Sequence, residues 1–241
     1  MIIAKKVFSV MKTRPLKIKV YRGKPNKELD VTNRNLHPNL PKMHFLASIN
    51  AMRGSGKTNL LMNFIGEFYN QKFDNIYLVC PTFHNEANNK WAEFAIDESK
   101  VISEFNDKEF PEFVAGIDNT ELNLIIFDDC GNINANSKNL TNFLIKHRHY
   151  NCSVILSLQF FKMISRTTRA NLTDLIVFKM NNSAEVKDLA DELGIDLKRF
   201  KSLLPKEMYR FIHFDLRNNI IRRDFDETIG AKDVPSLGPS L

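Results

Sequence analysis

The chain has 241 residues, 43% of them hydrophobic and 26% charged, a composition that supports one packed α/β domain with a small appendage. Its longest apolar runs, such as Leu124–Phe127, fall far short of the roughly 20 residues that cross a bilayer. Residues 1–20 alternate lysine with apolar residues instead of forming the apolar stretch of a secretion signal, so a soluble intracellular protein with no membrane contact is expected.

The net charge of +6 is unevenly placed: residues 1–42 carry eleven Lys or Arg against two acids, Glu28 and Asp30, which makes that segment +9 and the rest of the chain −3. Residues 1–42 therefore read as a basic N-terminal arm. Leu16, Ile18 and Val20 alternate with Lys17, Lys19 and Tyr21 in a period of two. Two readings fit: a surface that neutralises nucleic-acid phosphates, with salt-dependent binding, or a solvated tail or strand whose charges face water.

From residue 43 to 225 strands and helices alternate. MHFLASIN (43–50) is a short apolar run, and TNLLMNFIGEFYN (58–70) has helical periodicity. NIYLVC (75–80) reads as a second strand stopped by Pro81, and the polar region 84–117 as largely helical. LNLIIFDD (122–129) is a third strand, followed by a helix over 137–147 and a fourth strand, CSVILSL (152–158). LIVFKM (175–180) is a fifth, with helices over 183–193 and near 196–203. This alternation predicts an α/β fold: a mostly parallel sheet with helices on both faces. After Pro205, YRFIHFDL and IIRRDF flank Arg217–Asn219 and predict an antiparallel hairpin at the sheet edge. Residues 226–241, with Pro235, Gly238 and Pro239, read as a poorly ordered tail. Cys80, Cys130 and Cys152 sit in or beside apolar runs with no CxxC spacing, as reduced core residues do.

The chemistry concentrates in AMRGSGKTNLL (51–61). The phosphate-loop pattern G-x-x-x-x-G-K-[ST] wraps phosphates with backbone N–H groups, reaches the β/γ oxygens with lysine and holds Mg²⁺ with the hydroxyl. Here Ala51 takes the first glycine position, which requires only backbone angles that alanine tolerates, and the loop lies between a buried strand and an amphipathic helix, as the motif demands. Gly54, Ser55, Gly56, Lys57, Thr58 and Asn59 are the candidate nucleotide-binding residues. In LNLIIFDD, Asp128 ends a buried strand where open α/β sheets bind ligands, and its carboxylate can join Thr58 in holding Mg²⁺. Asp129 is placed to orient or deprotonate a water attacking the γ-phosphate; a turn or capping role ahead of Gly131 is its alternative. Gln159, at the tip of the fourth strand, would reach the phosphates if that strand is inserted between the loop strand and the Asp128 strand.

The set AMRGSGKT, LNLIIFDD, RHYNCSVILSLQ and TTRANLTDLIVFK resembles the FtsK–HerA superfamily of DNA-pumping ATPases. Within it, the set is most similar to the genome-packaging ATPases of poxviruses, other large nucleocytoplasmic DNA viruses and virophages, over about residues 36–225. The resemblance implies a P-loop fold with an inserted strand, sheet order 5-1-4-3-2, a homo-oligomeric ring (pentamer or hexamer), and ATP- and Mg²⁺-dependent movement of double-stranded DNA into a capsid. It also implies a capsid or portal partner and a location in the viral factory of the infected cell's cytoplasm or in the virion. By position, Lys57 and Thr58 match the loop residues, Asp128 the metal anchor, Asp129 the catalytic acid and Gln159 the sensor. Asp129 stands where cellular relatives carry glutamate, and Ala51 where glycine is usual. Ring ATPases complete the site with an arginine from the neighbouring subunit; Arg169, which matches a family arginine, Arg148 and Arg166 are the candidates. Other readings stay open at this point. The loop also fits small-molecule kinases, with Arg166 and Arg169 as lid arginines, and Asp128–Gly131 fits the D-x-x-G of GTPases, although no N-K-x-D follows. A DNA-binding module with a vestigial loop is a third.

Overall fold

The computed structural model describes residues 33–84, 91, 96–131 and 133–229. Residues 1–32, most of the expected basic arm, and 230–241 lie outside that set.

The short apolar runs become strands because each is buried on both sides, the condition that favours continuous apolar stretches over alternation. β1 (Leu46–Asn50) leads into α1 (Lys57–Asn63), which continues as a π-helical stretch over Phe64–Phe68. Then come β2 (Asn75–Val79), a 3₁₀ turn at Glu98–Lys100, β3 (Val101–Ile102) and α2 (Phe110–Ala115). β4 (Asn123–Phe127), α3 (Lys138–Lys146) and β5 (Cys152–Leu158) follow, then α4 (Arg166–Ala170) and β6 (Asp174–Phe178). α5 (Ser183–Leu193) and α6 (Leu197–Leu203) precede β7 (Phe211–Asp215), β8 (Ile220–Arg223) and β9 (Glu227–Ile229). Asn182 and Asp196 cap the starts of α5 and α6 through their side chains, each accepting two backbone N–H groups.

Among the described residues, nine strands form one sheet in the order β3-β2-β4-β5-β1-β6-β7-β8-β9. The pairs from β3 to β6 are parallel and those from β6 to β9 antiparallel. For the five strands expected from sequence this is the order 5-1-4-3-2, with β5 inserted between β1 and β4. The C-terminal hairpin is added to the β6 edge as predicted, its turn closing with Asn219 at φ 56°.

Side-chain alternation divides the core in two. Leu46, Ile125, Phe127, Val154 and Leu156 face α3, α5 and α6, which contribute Phe143, Leu189 and Phe200. Phe45, Ala47, Ile49, Leu124, Ile126 and Ile155 face the other way, against Leu60, Leu61 and Phe64 of the α1 region. Cys80, Cys130 and Cys152 are free and buried.

Three sequence expectations need correction. Region 84–117 is not largely helical over its described part: it holds the edge strand β3, too short to show a period, and only the six-residue α2. Residues 33–42 do not belong to a free arm, because Leu36 and Leu40 are buried in the second core and Asn39 Nδ2 donates to the Phe225 carbonyl at 2.6 Å. The sheet also runs three residues into the expected tail, as β9.

Candidate active site

The insertion of β5 brings the candidate residues together. In register, Asn50 pairs with Leu158 and Leu156 with Phe127, so the turns that follow β1, β4 and β5 open at one edge of the sheet. The turns after β1 and β4 border a cavity of about 820 Å³ lined by Arg53, Gly54, Gly56, Lys57, Thr58, Asn59, Thr82, Trp91, Asp128, Asp129 and Tyr209, and Gln159, after β5, lines a neighbouring hollow that shares Asp129.

The loop is shaped by Gly54 and Gly56, with φ of 78° and 105°, angles that L side chains rarely adopt. Ala51 is absent from the residues with positive φ and is fully buried, so alanine at the first glycine position brings no backbone strain. Ser55 turns back on the loop, its Oγ donating to the Met52 carbonyl at 2.6 Å. The Lys57 ammonium is buried and donates to the Ala51 and Met52 carbonyls at 3.0 and 3.4 Å. Burial lowers its pKa, while Asp129 and Asp128 push it back up. Gly56 starts α1 with no side-chain cap, which leaves the first-turn N–H groups of the helix directed at the cavity.

Opposite the loop, Thr58 Oγ1 donates to Asp128 Oδ2 at 3.4 Å. Asp128 is 4% exposed, and its other oxygen, Oδ1, is buried without a hydrogen-bond partner among the described residues. Burial raises the carboxyl pKa; Ser157 lowers it, Asp129 raises it, and Trp91 and Lys57 lower it. A hydroxyl beside a buried carboxylate with an oxygen unsatisfied is the hard, oxygen-only donor set that suits Mg²⁺.

Asp129 is exposed, adopts φ 55° and accepts from Gln159 Nε2 at 3.5 Å. Asp is among the few residues that tolerate this region, and such conformations collect at functional sites. The turn carrying Gln159 is held from behind by Glu185 of α5, whose carboxylate accepts the Phe161 N–H.

Of the sequence candidates, Gly54, Gly56, Lys57, Thr58, Asn59, Asp128 and Asp129 line the cavity, and Ser55 and Gln159 support it. The arginines stand apart from it. Arg169 pairs with Glu192 at 3.1 Å, donates to the Ile164 carbonyl at 2.8 Å and lies over the Phe161 ring. Arg148 is exposed in the 3₁₀ turn His147–Tyr150, ahead of β5 and so at the opposite end of the sheet. Arg166 is exposed at the start of α4.

Four cavity residues escaped sequence reasoning, Arg53, Thr82, Trp91 and Tyr209. Trp91 is buried yet borders the site beside Asp128. Tyr209 enters from the segment ahead of β7, far along the chain and outside any motif. Among the described residues no three His, Cys, Asp or Glu cluster as a metal site of their own, and no helix is long and apolar enough to cross a membrane.

The Poxvirus A32 protein family model matches residues 33–208. The DNA packaging protein OPG160 of variola virus is 25% identical over 198 residues, which cover 78% of this chain and 73% of that protein. Among solved structures, the DNA-packaging ATPase B204 of Sulfolobus turreted icosahedral virus aligns with a TM-score of 0.60 and 16% identity, over 75% of this chain and 96% of that one. The genome packaging NTPase B204 of Sulfolobus turreted icosahedral virus 2, in complex with AMPPCP, aligns with the same TM-score at 14% identity, again over 75% and 96%. At these identities the structural likeness speaks for the fold, a P-loop NTPase with an inserted strand.

Proposed function

The chain belongs to the family of the poxvirus A32 protein, and on that footing we propose that it is an ATP-hydrolysing motor that moves double-stranded DNA into a viral capsid. The observation that carries the reading is the convergence of Lys57, Thr58, Asp128 and Asp129, from two separate strand ends, on one cavity, with Gln159 from a third strand end reaching Asp129. Family membership, relatives that are DNA packaging proteins and the Asp129–Gln159 contact all favour a water nucleophile over the substrate hydroxyl of a kinase. The GTPase reading lacks a guanine-reading motif in the sequence.

In this mechanism the loop N–H groups and Lys57 hold the phosphates. Thr58 and Asp128 would hold Mg²⁺, which when bound offsets charge on the β/γ oxygens. Asp129 orients a water and takes its proton, and Gln159 fixes the Asp129 carboxylate and meets the γ-phosphate. Arg169 and Arg148 are the proposed arginines acting on a neighbouring subunit's site. Neither reaches the cavity of its own chain, which fits a role in trans within a ring of five or six copies. Double-stranded DNA, a capsid or portal component and a place in the viral factory or virion complete the proposal. The basic segment 1–32 is one candidate DNA-facing surface.

The test is steady-state ATP hydrolysis with and without double-stranded DNA, for the wild type and Lys57→Ala. DNA-stimulated turnover that Lys57→Ala abolishes is the expected result. Turnover indifferent to DNA, or seen only with a small phosphate acceptor, would overturn the motor reading.

A further inference from the structure

We infer that Tyr209 is the base-stacking residue of the nucleotide site, so that the part of the cavity beside it takes the base of a nucleoside triphosphate whose phosphates sit on the loop. The assignment rests on the nucleotide reading of the same cavity.

Topology places Tyr209 there. Because β7 runs antiparallel to β6, its first residue, Phe211, pairs with the last residue of β6, Phe178. The segment entering β7 therefore lies at the edge where the phosphate loop leaves β1. In the sheet, β4 with Asp128 stands two places to one side of β1 and β7 two places to the other. At a strand spacing of about 4.8 Å, the two strands that frame the cavity are roughly 19 Å apart. Asp128 and Tyr209 thus come from opposite sides of the phosphate loop.

The ring itself is poised and largely uncovered. Tyr209 is 66% exposed, and Met208 beside it 44%. A methyl group on Gly56 would lie only 2.8 Å from Tyr209 Cδ1, so the ring packs against the loop glycine and keeps its remaining surface for the cavity. Its backbone is held at φ 65°, a left-handed conformation that costs an ordinary L residue free energy. An exposed ring gains little from protein packing to offset that cost. A flat aromatic ligand stacked on its open face supplies the missing contact, and such stacking tolerates any base.

The experiment is calorimetric titration of the full chain with ATP and, separately, with inorganic tripolyphosphate, which carries phosphates but no base. Tyr209→Ala is expected to weaken ATP about tenfold, in line with stacking losses at nucleic-acid-binding aromatics, and to leave tripolyphosphate within twofold. Tyr209→Leu, which keeps apolar bulk without a π face, should behave like alanine, and Tyr209→Phe should match the wild type. Circular dichroism of each variant separates lost binding from lost folding. Equal weakening of both ligands, or of neither, would overturn the assignment. If the wild type binds neither ligand, or Lys57→Ala leaves both unchanged, the nucleotide reading itself fails.

Discussion

Asp129→Asn separates chemistry from architecture at this site. Asparagine shares the tolerance of aspartate for a φ of 55°, and its side-chain oxygen can still accept from Gln159, so the backbone and the turn should persist. What is lost is the ability to take a proton from water. General-base contributions run to about 10²–10⁴ in rate, or roughly 3–5 kcal/mol of barrier at 1.36 kcal/mol per decade. Removing the Asp129 charge also takes away one of the two carboxylates that raise the Lys57 pKa, but Asp128 remains, so ATP affinity should change by no more than a few-fold. Single-turnover hydrolysis with radiolabelled ATP gives the rate, and equilibrium titration gives the affinity. Asp129→Ala provides the architectural control: it should be equally inactive but additionally less stable, since the left-handed region costs alanine about 1–2 kcal/mol. A rate for Asp129→Asn within threefold of wild type would refute the reasoning and return Asp129 to the role of a turn residue.

Asp128→Asn should abolish Mg²⁺-dependent turnover yet raise the melting temperature of the nucleotide-free protein at pH 7. Burial lifts the carboxyl pKa above its unfolded value, so the stability associated with this group is full below the unfolded pKa and is lost as pH rises through the folded one. A lower melting temperature would show that the charge is not held at a cost. His147 gives the opposite sign: burial lowers its pKa from 6.5 to about 4, so its contribution is full above 6.5 and is lost as pH falls toward 4. Between pH 7.5 and 4.5 the wild type should lose on the order of 2–3 kcal/mol more than His147→Asn in urea denaturation, and parallel pH profiles would contradict this. Ala51→Gly should leave ATP affinity within a few-fold, because Ala51 already has ordinary backbone angles, while costing about 0.5–1 kcal/mol of stability. A large change in affinity would mean that the loop depends on the alanine methyl.

The parts of the fold that could be read from sequence were those governed by local apolar pattern. Strands such as Cys152–Leu158 and the helix Ser183–Leu193 appear at their expected limits, because burial on both faces and clean capping leave sharp boundaries. The sheet order came from resemblance, since nothing local in a strand says which neighbour it will take. What escaped was non-local. β3 gains its identity only by pairing with β2, and Leu36 and Leu40 are core residues because Phe225 and the α1 region lie over them. At the site, Lys57, Thr58, Asp128, Asp129 and Gln159 announce themselves through motif spacing and strand ends. Tyr209 does not, because an antiparallel turn of the chain, visible only in three dimensions, returns it to the loop.

Among the described residues, the two margins of the sheet are its shortest strands, two residues at β3 and three at β9. An edge strand is a row of free peptide groups that recruits other chains by backbone pairing, and its reach scales with its length. Over the described residues, the sheet thus offers an incoming strand few peptide groups to pair with at either margin. In the proposed ring, neighbouring copies are thereby biased to meet through side-chain surfaces, whose complementarity can fix an orientation, and away from open-ended sheet growth, which cannot.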